Sequence, residues 1–173
     1  MGKTPSRMLV SVVDQVAYVK LTGRANFASS VSFKTLINEL NQRGFITFVL
    51  ELCECVTMDS TFLGVLAGIV LKLKDGQQPD SRVSLQLHNP NERVTDLLDN
   101  LGVSHLFETV HGCQPDSTAS ESLPEAEVRP TREEISETCL EAHQTLMSVN
   151  PDNIPKFKDV AQFLAEDLKK LKA

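Results

Sequence analysis

The chain has 173 residues, a formal net charge of -6 and no tryptophan. This length allows one ordinary domain with an appendage, and the core has to be largely aliphatic. The negative charge argues against nucleic acid or an anionic membrane as the main partner. Four cysteines without paired spacing are typical of a reducing cytosol, and residues 1–5 lack the apolar start of a signal peptide. We therefore expect a cytoplasmic protein that does not enter a membrane.

The first elements of the chain are predicted to be a β-hairpin followed by a helix. Two β-rich runs, at residues 8–13 and 16–21, are separated by only two residues, which is the length of a tight turn. Residues 23–26 break this pattern. An amphipathic helix is then predicted at 27–43, with Gly44 ending it.

The central stretch of the chain consists of a second apolar strand and an uncharged helix. Residues 45–52 predict a strand buried on both faces, and residues 61–71 predict a buried helix too short to span a bilayer. Asp59 stands at the N-cap position, with Ser60 and Thr61 in the first turn. We expect this turn to present hydroxyl groups, with little apolar cover, at the positive end of the helix dipole.

The next elements complete an α/β pattern. Alternation at residues 81–87 predicts a half-exposed strand, Asn91 begins a short helix that Gly102 ends, and residues 106–110 predict a last short strand. The order β-β-α-β-α-β-α-β predicts an α/β fold, in which a small mixed β-sheet carries helices mainly on one face.

The C-terminal part is predicted to be a separate appendage. We expect a domain at residues 1–112, a linker rich in Pro, Ser and Glu at 113–130, and a helical hairpin at 131–173. Thr131 and Glu134 form a capping box at the start of the first helix. Each helix carries an apolar stripe, and the stripes must pack on each other, on the sheet domain or on another subunit in a homodimer.

The sequence Asp-Ser-Thr-Phe-Leu-Gly at residues 59–64 carries a family resemblance. Between a strand and an apolar helix, it resembles the STAS-domain signature, especially that of bacterial anti-sigma-factor antagonists, Asp-Ser-Ser/Thr-Gly-Leu-Gly. The resemblance covers roughly residues 8–110 and implies the same α/β fold. It also implies that Ser60 is the phosphorylated residue; Thr61 and Thr57 are alternative acceptors.

The resemblance further implies a regulatory binding function. The unphosphorylated protein would bind an anti-sigma factor that is also a serine protein kinase, phosphorylation would release it, and a PP2C-type phosphatase would reset the protein. C-terminal helices covering the turn would make the protein autoinhibitory. The expected partner-binding residues are Gly23, Arg24, Asn26, Phe27, Asp59, Ser60, Thr61 and Phe62.

Two other functions and one purely structural interpretation stay open. The protein could be a non-phosphorylated STAS adaptor, such as a soluble subunit of a lipid-transport complex, or a small-molecule or nucleotide sensor. Alternatively, Asp59, Ser60 and Thr61 only satisfy the free amides of a helix start.

The remaining candidate side chains receive structural interpretations. Cys53 and Cys55 are interpreted as buried thiols, and Gly64 and Gly68 as positions where the helix packs closely on the sheet. No catalytic triad, metal site or cofactor is expected, because the four histidines show no suitable spacing. These are His88, His105, His111 and His143. We therefore do not expect an enzyme.

Overall fold

The computed structural model of the protein describes residues 6–75, 84–112 and 130–173. The predicted loop at 77–80, the start of the strand predicted at 81 and the linker at 113–129 lie outside these residues. The strands are β1 (Arg7–Val13), β2 (Val16–Ala25), β3 (Thr47–Met58), β4 (Ser84–His88) and β5 (Glu108–Val110). The helices are α1 (Phe27–Gln42), α2 (Ser60–Asp75), α3 (Glu92–Asn100), α4 (Arg132–Val149) and α5 (Ile154–Lys172).

The strands form one mixed sheet in the order β1-β2-β3-β4-β5. β1 and β2 are antiparallel, and all other neighbours are parallel. The hairpin turn places Asp14 and Gln15 at φ angles of 49° and 67°, as a two-residue turn with two left-handed positions requires. The predicted mixed α/β fold with two C-terminal helices is confirmed.

The ends of β2 and β3 position the candidate site. We expected residues 23–26 to break the β pattern, but β2 continues to Ala25 and β3 continues to Met58, beyond the predicted end at residue 52. Parallel pairing explains the extension, because Ala25 lies opposite Met58 after two register shifts. The starts of α1 and α2 are therefore neighbours at one edge of the sheet.

Helix α2 is buried on opposite sides, which explains its lack of charge up to Leu71. On one side, the fully buried Phe62 ring packs at a tilt against Phe33 of α1, with a centroid distance of 5.2 Å. On the other side, Gly64 lies against Ala142 of α4. One side of α2 therefore packs in the core of the sheet domain, and the other side packs on the C-terminal helix α4.

The C-terminal helices pack on each other and on the rest of the same chain. The predicted capping box at Thr131 is present, and Leu146 of α4 is fully buried in the hydrophobic core. The buried Asn153, in the turn between α4 and α5, donates to the carbonyl oxygens of Leu101 at 2.8 Å and Leu146 at 2.9 Å. This amide ties the turn to the end of α3.

None of the helices in the described ranges is both long enough and apolar enough to cross a membrane.

Candidate functional site

Asp59 joins the starts of two helices at the edge of the sheet. Its Oδ1 accepts a hydrogen bond from the amide of Phe62 at 2.8 Å, and its Oδ2 accepts one from the amide of Phe27 at 2.8 Å. Its own amide donates to the carbonyl of Ala25 at 3.0 Å. Burial raises the pKa of Asp59, and the two amides that donate to the carboxylate oppose this shift. The aspartate therefore fixes the turn that carries Ser60.

The hydroxyl of Ser60 contacts a histidine of α4. Ser60 Oγ lies 3.0 Å from His143 Nε2, and His143 Nδ1 lies 2.6 Å from the carbonyl oxygen of Cys139. A carbonyl only accepts, so Nδ1 carries the proton of the neutral ring and Nε2 accepts the hydrogen from Ser60. Burial lowers the pKa of His143, which favours this neutral form. The expectation of a turn with little apolar cover is wrong, because α4 covers it.

Two glycines of α2 set how closely α4 approaches. A methyl group added at Gly64 would lie 2.5 Å from the carbonyl oxygen of Ala142, whereas one added at Gly68 would lie 3.7 Å from Thr145 Oγ1. The interpretation that these glycines pack the helix on the sheet is therefore wrong: both face α4. Only Gly64 is required for the observed packing, because at Gly68 an ordinary van der Waals contact remains.

Charged side chains border the contact between α4 and the first two helices. Glu141 forms ion pairs with Lys34 of α1 and Lys72 of α2. Burial alone would raise the pKa of Glu141, but the hydrogen bonds from the two lysines outweigh it and lower the pKa. The cleft between these helices is lined by Gly68, Lys72 and Glu141, but by neither Ser60 nor His143. The Ser60–His143 pair thus holds two helices together instead of facing a substrate cavity.

The expected partner-binding residues differ in accessibility. Arg24 is exposed and the Phe27 side chain is 47% exposed, next to Asp59. Asn26 caps α1, accepting from the amides at positions 28 and 29. Gly23 and Thr61 are buried, and Thr61 donates to Cys139 Sγ at 3.6 Å. Phe62 lies in the core. The two phenylalanines therefore separate into a surface residue and a core residue.

His143 is the residue that sequence reasoning missed. It lies on α4 four residues after Cys139 and three before Leu146, and therefore on the same side of the helix as these two residues. Nothing in the sequence linked it to Ser60.

The interpretation of Cys53 as a buried thiol is wrong, since Cys53 is exposed. Cys55 is buried, and burial raises its pKa to about 11. Within the described ranges, no group of three His, Cys, Asp or Glu side chains could hold a metal ion.

The fold has relatives among solved structures. SpoIIAA, an anti-sigma factor antagonist in its unphosphorylated form, is 16% identical, with a TM-score of 0.53 over 62% of this chain and 89% of that chain. An anti-sigma factor antagonist from Mycobacterium paratuberculosis is 14% identical, with a TM-score of 0.51 over 61% and 86%. The phosphorylated form of SpoIIAA from Bacillus is 15% identical, with a TM-score of 0.50 over 62% and 92%.

At these identities the structural likeness establishes the fold alone. No curated protein matches the chain. The STAS domain family, however, matches residues 7–113, which include β1 to β5, the helices α1 to α3 and the turn that carries Ser60. The chain therefore belongs to the STAS domain family.

Proposed function

We propose that the protein is a regulatory binding protein of the anti-sigma-factor-antagonist type, with Ser60 as its switch residue. The observation that carries the proposal is the place of Ser60. It is the first residue of α2, where β2 and β3 end side by side, and Asp59 fixes the backbone around it. Its hydroxyl is not part of the sheet core, so it can change chemically without unfolding the domain.

Phosphorylation of Ser60 would change the charge of this surface and leave the sheet domain intact. A phosphate adds about -1.5 to -2 charges. At the N-terminus of α2 the helix dipole favours an anion by about 0.3–1 kcal/mol. A partner surface matched to a neutral hydroxyl would instead meet a dianion, which weakens binding.

The proposed partner surface consists of exposed residues beside the switch. Phe27 lies next to Asp59, because its amide donates to the Asp59 carboxylate, and Arg24 is exposed on β2 opposite Thr57. The partner would be an anti-sigma factor that is also a serine protein kinase, and a PP2C-type phosphatase would remove the phosphate. In this role the protein acts in the cytoplasm as a binding protein and not as an enzyme.

Phosphate mapping tests the switch. The full chain is incubated with ATP and a soluble extract of its host cell, and the modified residue is identified by mass spectrometry. We expect phosphate on Ser60 in the wild type and in Thr61→Val, and none in Ser60→Ala. Phosphate on Thr61 or Thr57 with Ser60 unmodified would move the switch to another residue.

Binding to purified anti-sigma factor kinases of the host tests the partner. Ser60→Asp should weaken binding at least about tenfold, because it places a charge where the partner expects a hydroxyl. Ser60→Ala adds no charge and should bind better than Ser60→Asp. Equal binding of both variants would contradict a charge-based switch.

One observation favours a second candidate function, a non-phosphorylated STAS adaptor. The Ser60 hydroxyl is already hydrogen-bonded to His143 of the same chain, as a purely structural serine would be. This candidate predicts that no condition places phosphate on residue 60 and that partner binding is unchanged in Ser60→Asp.

A further inference from the structure

We propose that α1 and α2 form a helix-binding surface whose resident occupant is α4, and that docking of α4 and phosphorylation of Ser60 exclude each other. This proposal rests on the role of Ser60 proposed above and adds how access to that residue is controlled. Ser60 would be modified only while the helix is released, and a phosphate on Ser60 would keep the helix from docking again.

The first argument is steric. In phosphoryl transfer the serine oxygen attacks the γ-phosphorus of ATP, the Oγ–P bond forms, the bond to ADP breaks, and the hydroxyl proton passes to a base of the kinase. The attacking oxygen must have free space in line with the phosphorus, about 3–3.5 Å away. Here His143 Nε2 is 3.0 Å from Ser60 Oγ, so the ring occupies the space beside the oxygen. The γ-phosphorus cannot approach the oxygen from the side that the ring occupies, so in this proposal α4 moves before the reaction and a phosphate on Ser60 takes the place of the ring.

The second argument is that the part of the contact surface next to Ser60 is polar or lacks side chains. Thr61 bonds to Cys139, and Gly64 and Gly68 present no side chain to α4, although Val65 and Ile69 of α2 also line this contact. At the border, Lys72 and Glu141 are partly exposed. Water can replace these polar contacts, in contrast to the Phe62 side of the helix, which belongs to the core. Release of α4 also withdraws Ala142 and Leu146 from the hydrophobic core, so the docked helix is the resting state and release is transient.

The third argument is that release is reversible. α4 follows the domain along the same chain, so a released helix stays at high effective concentration near its site. Glu141 between Lys34 and Lys72 then guides its return by charge complementarity. A partner helix could replace α4 if it carried a small residue over Gly64 and an acidic residue between the two lysines.

Two glycine substitutions separate docking from folding. The nearest atoms to a methyl group at Gly64 all belong to Ala142 of α4, so Gly64→Ala should displace α4 while leaving the sheet domain intact. Gly68→Ala is the matched control on the same helix, since its methyl group would only touch Thr145. Ala142→Leu enlarges the α4 side of the same contact and should also displace α4. Because it leaves residues 7–112 unchanged, its effect cannot come from a folding defect in α2.

Alkylation measures access to position 60 without a kinase. Ser60→Cys is combined with each of the three substitutions in full-length protein with Cys139→Ser, and the rate of iodoacetamide modification at position 60 is determined by peptide mass spectrometry. With Gly64→Ala or Ala142→Leu, we expect modification at least about tenfold faster than with Gly68→Ala or with neither substitution. Equal rates in all proteins would overturn the proposal.

Phosphorylation in host-cell extract then tests whether docking of α4 and phosphorylation of Ser60 exclude each other. Phosphate should appear on Ser60 faster in Gly64→Ala than in wild type or Gly68→Ala, and amide hydrogen exchange of α4 should be faster in phosphorylated wild type than in the unmodified protein. Phosphorylated protein with fully protected α4 would overturn mutual exclusion. Faster alkylation without phosphate on any variant would instead refute the proposed function and leave the displaceable helix standing.

Discussion

The hydroxyl of Ser60 gives His143 its hydrogen-bond partner in a buried place. Without it, the imidazole Nε2 becomes an unpaired buried acceptor. We expect Ser60→Ala to lower the free energy of unfolding by about 1–2 kcal/mol, since an orphaned buried polar atom loses its hydrogen bond and does not regain water. Urea denaturation of the full chain measures this difference.

A serine elsewhere on the contacting helix provides the control. Ser148 is exposed on α4, and Ser148→Ala should change the free energy of unfolding by less than about 0.5 kcal/mol. If Ser60→Ala destabilised the protein no more than Ser148→Ala, the hydrogen bond to His143 would contribute nothing to docking.

The protonation of His143 makes docking depend on pH. Burial lowers its pKa below the ordinary value of 6.5, although the Cys139 carbonyl and the charge of Asp59 oppose the shift. Between the lowered pKa and 6.5 the unfolded chain binds more protons than the folded one, so stability is present above 6.5 and is lost as the pH falls through the lowered pKa. We expect the melting temperature to fall between about pH 7.5 and about pH 5.5.

His143→Gln isolates this effect, because glutamine keeps a donor and an acceptor but does not titrate. The raised pKa of Asp59 acts in the opposite sense, giving stability that is present below its ordinary value of 3.8 and lost as the pH rises. Asp59 is present in the wild type and in His143→Gln, so the difference between their melting-temperature profiles against pH gives the contribution of His143. Parallel profiles would exclude His143 as the titrating group.

At the scale of elements, Asp59 couples the starts of α1 and α2. Its two carboxylate oxygens accept from the amides of Phe27 and Phe62, so Asp59→Ala leaves two helix-start donors without this partner. We expect a loss of about 1–3 kcal/mol in the free energy of unfolding, and a smaller loss for Asp59→Asn, which keeps one acceptor oxygen. Urea denaturation curves of Asp59→Ala and Asp59→Asn show which variant loses more free energy of unfolding.

Asp75, at the other end of α2, is the matched control for this series. An acidic residue at a helix C-terminus gains nothing from the dipole, so Asp75→Ala should be neutral or slightly stabilising. A loss in Asp75→Ala equal to that in Asp59→Ala would show that general charge, and not the paired amides, causes the effect.

Elements defined by local chemistry could be predicted from the sequence. The two-residue turn, the end of α1 near Gly44 and the capping box at Thr131 depend on neighbours within four residues, and the structure confirms them. Strand ends were less predictable. β2 passes through Gly23 because β3 pairs with it, and that pairing is not local. The buried, uncharged nature of α2 was evident, but not that a second layer of helices covers it.

At the scale of the whole molecule, the candidate site depends on contacts between distant parts of the chain. Ser60 and His143 are 83 residues apart, and Gly64 meets Ala142 across a similar separation. The sequence showed that two apolar stripes must be buried, but it did not distinguish between packing on each other, on the sheet domain or on another subunit. Only the folded chain shows that the stripes pack within one molecule and that the packing places His143 on the switch residue.

The division of the chain into residues 1–112, 113–130 and 131–173 stays a prediction, which limited proteolysis can test. A glutamate-specific protease should cut first in the linker, where the sequence has Glu121 and Glu125, because folded helices resist cleavage. The two fragments of the wild type should still elute together in size-exclusion chromatography, because the buried Asn153 and Leu146 hold the helices to the domain.

The same experiment decides between packing within one chain and a homodimer through the C-terminal helices. Light scattering of the uncut protein should give the mass of one chain, since Leu146 of α4 and Ala161 and Leu168 of α5 are already buried within it, and a homodimer would give twice that mass. In Gly64→Ala the cut fragments should separate, because α4 loses its close contact with α2. Fragments that separate in the wild type, or a first cut within α4, would mean that the helical pair is not held on the domain, and access to Ser60 would then need no release step.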